Sequence, residues 1–353
     1  MLSNFGKSAI ALAISAAIGS VILPAQSALL VSSSGDNSIK QYDEITGAYI
    51  RDFVTSGSGG LLNPQGLAFG PDGNLYVSSQ RTNSVKKYSG TTGDYIGDFV
   101  SFEDGLSSPI GLTVAEDGSV FVVSSTIPRN NIEDVERRGV LQYNGTTGEL
   151  LGSIPAGTSD FNPIPIDVVV GGSDNNVFFS QSSRSFSSGE IQQYDPTTNN
   201  STNLDVMPKP LLRIPFEPRG LALKGNNLFF TSGREVGLLD LTTDTLSSYF
   251  VDTDSGGLNS AVDLTVGEDG SLYVSNASTN SIKKYNGVTG DFLGDFVTSN
   301  SGGLSGPTYL TTANVPVPEP NSVIGLLAFS GLFAGKVVRN KMNGRRQRAS
   351  LLK

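Results

Sequence analysis

Short apolar runs alternate with turn-forming residues along most of the chain. The clearest instances are two near-copies. "QGLAFGPDGNLYVSSQRTNSVKKYSGTTGDYIGDFV" covers 65–100 and "VDLTVGEDGSLYVSNASTNSIKKYNGVTGDFLGDFV" covers 262–297. Each holds a short apolar strand, an Asp-Gly turn, a second strand such as "LYVSS", a third such as "SVKKY", a Thr-Gly turn and a fourth such as "YIGDFV". Apolar runs of this length between Gly and Asp punctuation predict strands. Asp-Gly predicts a two-residue hairpin turn, whose positive φ angles match the twist of the strands. Each copy therefore predicts a four-stranded antiparallel meander.

Weaker copies begin at Ile110, Ile166 and Arg219, so successive starts lie 43 to 56 residues apart. Four strands at that period are the signature of a β-propeller. Closure is legible at the ends. Residues 29–54 lack a first strand, and "GPTYLTTA" (306–313) is a first strand with no successor. Joined, they make one blade, which removes two open sheet edges. The expected fold is all-β: a six-bladed propeller over 28–313, with blade one closed by N- and C-terminal strands. The repeats "PQGLAFGPDGNLYV" (64–77), "PIGLTVAEDGSVFV" (109–122) and "PRGLALKGNNLFF" (218–230) resemble the NHL family and its six-bladed relatives. That resemblance covers 29–313 and implies a fold rather than an activity.

Both termini depart from this pattern. Residues 1–27 carry Lys7, an apolar run from Ala9 to Leu23, then Pro24 and Ala25-Gln26-Ser27. This is the order of a secretory signal peptide, with cleavage expected before Ala28. Of 24 basic residues, one lies in 1–27 and seven lie in 321–353, where there is no acid. The body between them keeps 16 basic against 33 acidic residues. So acidic a body repels nucleic acid and anionic membrane surfaces. The chain has no His and no Cys. The usual general base near neutral pH is therefore missing, and so is any disulfide.

"NVPVPEP" (314–320) predicts a linker outside the sheet, because proline lacks an amide donor. Val323 to Gly335 follows as a short apolar helix, about 20 Å long at 1.5 Å per residue, too short for a comfortable span. The basic stop behind it comprises Lys336, Arg339, Lys341, Arg345, Arg346 and Arg348. Pro318-Glu319-Pro320, the apolar helix and the basic end together resemble the PEP-CTERM sorting signal. That resemblance implies transient anchoring in the inner membrane of a Gram-negative-type bacterium. It also implies an exosortase-type processing enzyme as partner and an extracellular or cell-surface destination, with a polysaccharide or protein as ligand.

The resemblance also sets an enzymatic alternative. Gluconolactonase-like propellers hold a divalent metal with carboxylates and Asn just before the Gly of the first strand. The matching residues here are Gln65, Ile110, Ile166, Arg219, Val262 and Thr308, none of them a carboxylate or Asn. Streptogramin lyase propellers rely on a His base. No cofactor, metal site or catalytic residue is therefore expected, and Gln65 and Arg219 remain as pore-side binding candidates. Asp167 and Asp263 sit one residue further on, on the opposite strand face, and are expected to accept backbone hydrogen bonds between blades. The Lys86-Lys87 and Lys283-Lys284 pairs are expected on solvated strand faces. Insertions at 125–139, 180–189 and 206–218 fall on the second-to-third and blade-to-blade loops, making that face the candidate binding surface. The sequence thus predicts an exported binding propeller, with a lactonase- or lyase-like enzyme as the alternative.

Overall fold

The computed structural model describes residues 25–125, 138–156, 163–172, 175–182, 189–204, 217–243 and 245–316. Within 25–316, which forms one compact unit, six four-stranded antiparallel sheets make the fold. One regular blade is β4 (Pro64–Phe69), β5 (Leu75–Ser79), β6 (Ser84–Tyr88) and β7 (Tyr95–Val100). The next three are β8–β11 (within 109–155), β12–β15 (within 164–204) and β16–β19 (within 221–251). Another runs through β20 (Ala261–Val266), β21 (Leu272–Asn276), β22 (Ser281–Tyr285) and β23 (Phe292–Val297). The remaining sheet joins the two ends of the unit, in the order β24 (Pro307–Pro316), β1 (Ala25–Ser33), β2 (Ser38–Asp43), β3 (Tyr49–Val54). The first strand of every blade packs on the first strand of the next, and β24 on β4 closes the ring. The fold is the expected six-bladed β-propeller with a shared blade.

The core is divided among the blade interfaces. One apolar cluster joins Leu30 and Phe53 of blade one to Leu67 and Val77 of blade two, and five others repeat the arrangement around the ring. Second strands such as Leu75–Ser79 are buried at every position because both of their faces meet a neighbouring blade. Fourth strands, at the outer edge of each blade, are exposed or half-buried over most of their length.

Three expectations need correction. The closing strand runs three residues past Ala313. Gln26 pairs with Val315 and Ala25 with Pro316, so the first part of the expected linker belongs to the sheet. Pro316 is tolerated because it ends an edge strand, the position in a sheet where proline is accepted. Val315 is buried and anchors the extension. The Asp-Gly turns hold three residues rather than two. The Gly70 N–H donates to the Asn74 carbonyl and the Gly73 N–H to the Gly70 carbonyl, with positive φ at Gly73 alone.

The lysine pairs, finally, are not solvated faces. Lys86 and Lys283 are 3% and 4% exposed and reach Asp98 at 2.8 Å and Asp295 at 2.7 Å. Lys87 and Lys284 lie over the rings of Tyr76 and Tyr273 while pairing with Asp72 and Asp269. Neighbouring strands cover the Lys86 and Lys283 face fully and the Lys87 and Lys284 face in part, and the ammonium groups on both are paired.

Residues 1–24 and 317–353 lie outside the described residues, and with them most of the expected signal peptide and the whole of Pro318-Glu319-Pro320, the apolar helix and the basic stop. Among the described residues no helix is long and apolar enough to cross a membrane.

Candidate functional site

The first strand of each blade faces the central channel. One residue after the expected pore positions stand Gly66, Gly111, Asp167, Gly220, Asp263 and Tyr309. The glycines are there for space. A Cβ on Gly111 would lie 2.2 Å from the Asp167 carboxylate, and one on Gly220 would lie 2.4 Å from that of Asp263. Each carboxylate instead accepts backbone N–H groups. Asp167 Oδ2 takes the Leu221 N–H at 2.7 Å, and Asp263 Oδ2 takes the Leu310 N–H at 3.1 Å. Both donors belong to the following blade, so both acids pin adjacent blades together, as their placement in the sequence suggests.

Hydroxyls extend the same stitching. Ser32 donates to the Gln65 carbonyl at 2.6 Å, Thr231 to that of Val262 at 3.0 Å, and Thr308 to that of Pro64 at 3.0 Å.

Tyr309 occupies the sixth position of the ring and is the residue that sequence reasoning missed. It is buried, and its hydroxyl donates to the Ile166 carbonyl at 2.9 Å, from blade one to blade four on the opposite side of the ring. The side chain therefore crosses the channel. A tyrosine where three other blades have glycine was the available signal. Without the ring geometry it reads as one more aromatic in a strand.

Burial dominates the electrostatics here. It pushes the Asp167 carboxyl up to about 7. Burial also raises the Asp263 carboxyl, and repulsion from Asp167 adds to it. The Tyr309 hydroxyl is held well above its ordinary range by burial and by both acids, with Arg219 opposing. A cavity of about 230 Å³ lies along this part of the channel, touched by Asp167, Asp263, Thr113, Thr265 and Thr311. A wider cleft of about 650 Å³ lies beside Phe69, Thr91 and Thr312. Buried acids with raised affinity for a proton beside a cavity can serve as general acids or bases.

Gln65 and Arg219 are not brought together. Gln65 donates to Asn63 at 3.3 Å, and Arg219 pairs with Glu217 at 3.4 Å, each within its own blade. Among the described residues no group of three or more Asp, Glu, His or Cys side chains stands close enough to hold a metal ion. The central parts of the three insertions, at 126–137, 183–188 and 205–216, lie outside the described residues. The strands that flank them end on the face where first strands begin.

No protein-family model matches the chain, and no curated protein matches it. Solved structures do. A structure of a nidogen/laminin complex superposes with a TM-score of 0.59 at 16% identity, over 81% of this chain and 98% of that one. A protein of unknown function from Bacteroides caccae gives 0.57 at 15% identity, over 83% and 100%. The virginiamycin B lyase of Staphylococcus aureus gives 0.50 at 15%, over 84% and 85%. A histidine-to-alanine variant of that lyase is described as catalytically inactive. At these identities the likeness shows the propeller fold alone.

Proposed function

We propose that this chain is an exported propeller that binds a ligand and performs no reaction of its own, and that its C-terminal tail sorts it to the cell surface. The observation that carries the reading is Tyr309. Its side chain crosses the channel at the depth of the two acids, and its hydroxyl is held by the Ile166 carbonyl. The acids themselves hold blades together. Structural side chains thus cross and narrow the channel, and ligand contact falls to the face that bears the insertions. The nidogen neighbour, solved with laminin, is a propeller-fold protein in complex with another protein. A chain without histidine cannot supply the residue type whose loss inactivates the lyase neighbour.

Export rests on the N-terminal charge and hydropathy pattern. Sorting by an exosortase-type enzyme rests on Pro318-Glu319-Pro320 with the apolar and basic segments behind it. The matrix polysaccharide, or a protein within it, is the ligand class that this route brings into reach. The second reading, a lyase- or lactonase-like enzyme, is favoured by one observation: the two proton-avid carboxyls beside the channel cavity.

One experiment separates the two readings. The protein is purified from the medium of its own cells, weighed by mass spectrometry, and applied to glycan and peptide arrays and to a lactone and cyclic-depsipeptide turnover screen. The expected result is a mass without residues 321–353, saturable binding and no turnover. Turnover that disappears in Asp263→Asn overturns the binding reading, and an intact Lys353 overturns the sorting reading.

A further inference from the structure

The turn between the third and fourth strands is built alike in three blades, and differently in blade one. After the third-strand tyrosine come Ser89-Gly90 in blade two, Asn144-Gly145 in blade three and Asn286-Gly287 in the last blade. Each of these glycines lies under the Asp-Gly turn of its own blade. A Cβ would stand 1.7 Å from the Gly73 carbonyl oxygen at Gly90, 1.9 Å from that of Gly118 at Gly145, and 1.9 Å from that of Gly270 at Gly287. Blade one has Asp43-Glu44 at this place. It also has no turn between its first and second strands, because those strands are the two ends of the ring, β24 and β1. The acid therefore occupies space that a hairpin fills elsewhere.

Glu44 is buried at this seam, with 6% of its surface exposed. One carboxylate oxygen accepts the Glu268 N–H at 3.1 Å, and the other accepts the Ser27 hydroxyl. The Glu44 N–H donates to the Ser27 carbonyl at 3.3 Å. Every contact on the β1 side is thus made by Ser27, the residue immediately before the expected export cut. Removing Ser27 strips a buried carboxylate of a partner, which is costly unless the partner is replaced. The same cut creates a replacement, the α-ammonium group of Ala28, one bond from the lost carbonyl carbon. Ala28 stays in the ladder opposite Asp43 and Ala313.

We propose that Glu44 is the receptor for the α-ammonium group produced when the chain is cut between Ser27 and Ala28, so that export places an ion pair at the seam where the propeller closes. The balance is simple: hydrolysis of one peptide bond gives a Ser27 carboxylate, which leaves with the signal, and an amine that takes up a proton. Asp43, Glu268, Asp269 and Lys284 are the other charged groups near the seam. Asp43 is engaged by the Ile45 and Thr46 N–H groups. Lys284 pairs with Asp269, and both lie beside the Tyr273 ring, whose hydroxyl donates to the Glu44 carbonyl.

The inference rests on the export reading, and the test keeps the two apart. The exported protein and its Glu44→Gln variant are purified from the medium, and the N-terminus of each is read by mass spectrometry. Acylation of the α-amine is then followed against pH, with a synthetic peptide of residues 28–33 as reference. The expected result is an N-terminus at Ala28. Its amine should titrate above the ordinary α-amino range of about 7.7–8.0 and react about tenfold more slowly near pH 8 than in the variant or the peptide. If the variant is not exported, comparison of the native protein with the peptide decides the matter. An N-terminus at Ala28 with peptide-like reactivity overturns the receptor and leaves the export reading standing. An N-terminus elsewhere on protein recovered from the medium overturns the receptor and the cut before Ala28, and leaves export standing.

Discussion

Asp167 and Asp263 show how one residue type takes its role from its neighbours. On an open strand either would be an ordinary solvated acid. Beside Gly111 and Gly220 each turns inward, loses its water and accepts the next blade's N–H. Burial raises both carboxyls, Asp167 to about 7. The folded chain then binds more protons than the unfolded chain between about pH 4 and pH 7, so stability falls as pH rises through that window. Asp72 behaves in the opposite way. Burial would raise it, but Lys87 and Asn74 together hold it at about 2, so its contribution is lost only in stronger acid. Asp263→Asn keeps an acceptor for the Leu310 N–H and removes the buried acid that Asp167 repels. It should raise stability at pH 8 more than at pH 5 and flatten the decline, as read from urea midpoints at the two pH values. An unchanged pH slope would show that the pair does not govern it.

At the scale of the strand, the blades on either side of the closure are the most regular. Lys40, Lys86 and Lys283 sit at one third-strand position and pair with Asp52, Asp98 and Asp295 of the fourth strand. Tyr42, Tyr88 and Tyr285, two residues on, donate to the carbonyls of Ser301, Ser58 and Ser255 in the loop that enters the blade. Adjacent lysines consequently differ in weight. Lys86→Met removes a buried ammonium from its partner and should cost about 1–3 kcal/mol in a denaturation series. Lys87→Met acts on a half-exposed pair and should cost less than about 1 kcal/mol. Equal losses would contradict the burial difference. The strand pattern was legible in the sequence because alternation and turn residues are local. The lysine environment was not, since an adjacent blade supplies the cover.

For the whole molecule, ring closure is the decisive event. β24 lies 250 or more residues from β1 in the chain, yet pairs with it from Ala25–Pro316 to Ser33–Pro307. Truncation after Ser305 removes β24 and leaves the channel edges of β1 and the last blade uncovered. Such a chain should lose its cooperative thermal transition and aggregate, while truncation after Pro316 should preserve both cooperativity and solubility. Equal melting of the two forms, by circular dichroism with light scattering, would show that the shared blade does not hold the ring.

The sequence by itself determined the strand meander, the number of blades and the sharing of blade one, because periodicity and turn chemistry are written residue by residue. It also placed Asp167 and Asp263 between blades, from the alternation of strand faces. Only the tertiary structure decided that Tyr309 crosses the channel to Ile166, that Gln65 and Arg219 turn to partners within their own blades, and that Glu44 fills the seam where a hairpin is missing. The first and the last depend on contacts between residues far apart in the chain, and no local pattern encodes such a distance until the last blade meets the first.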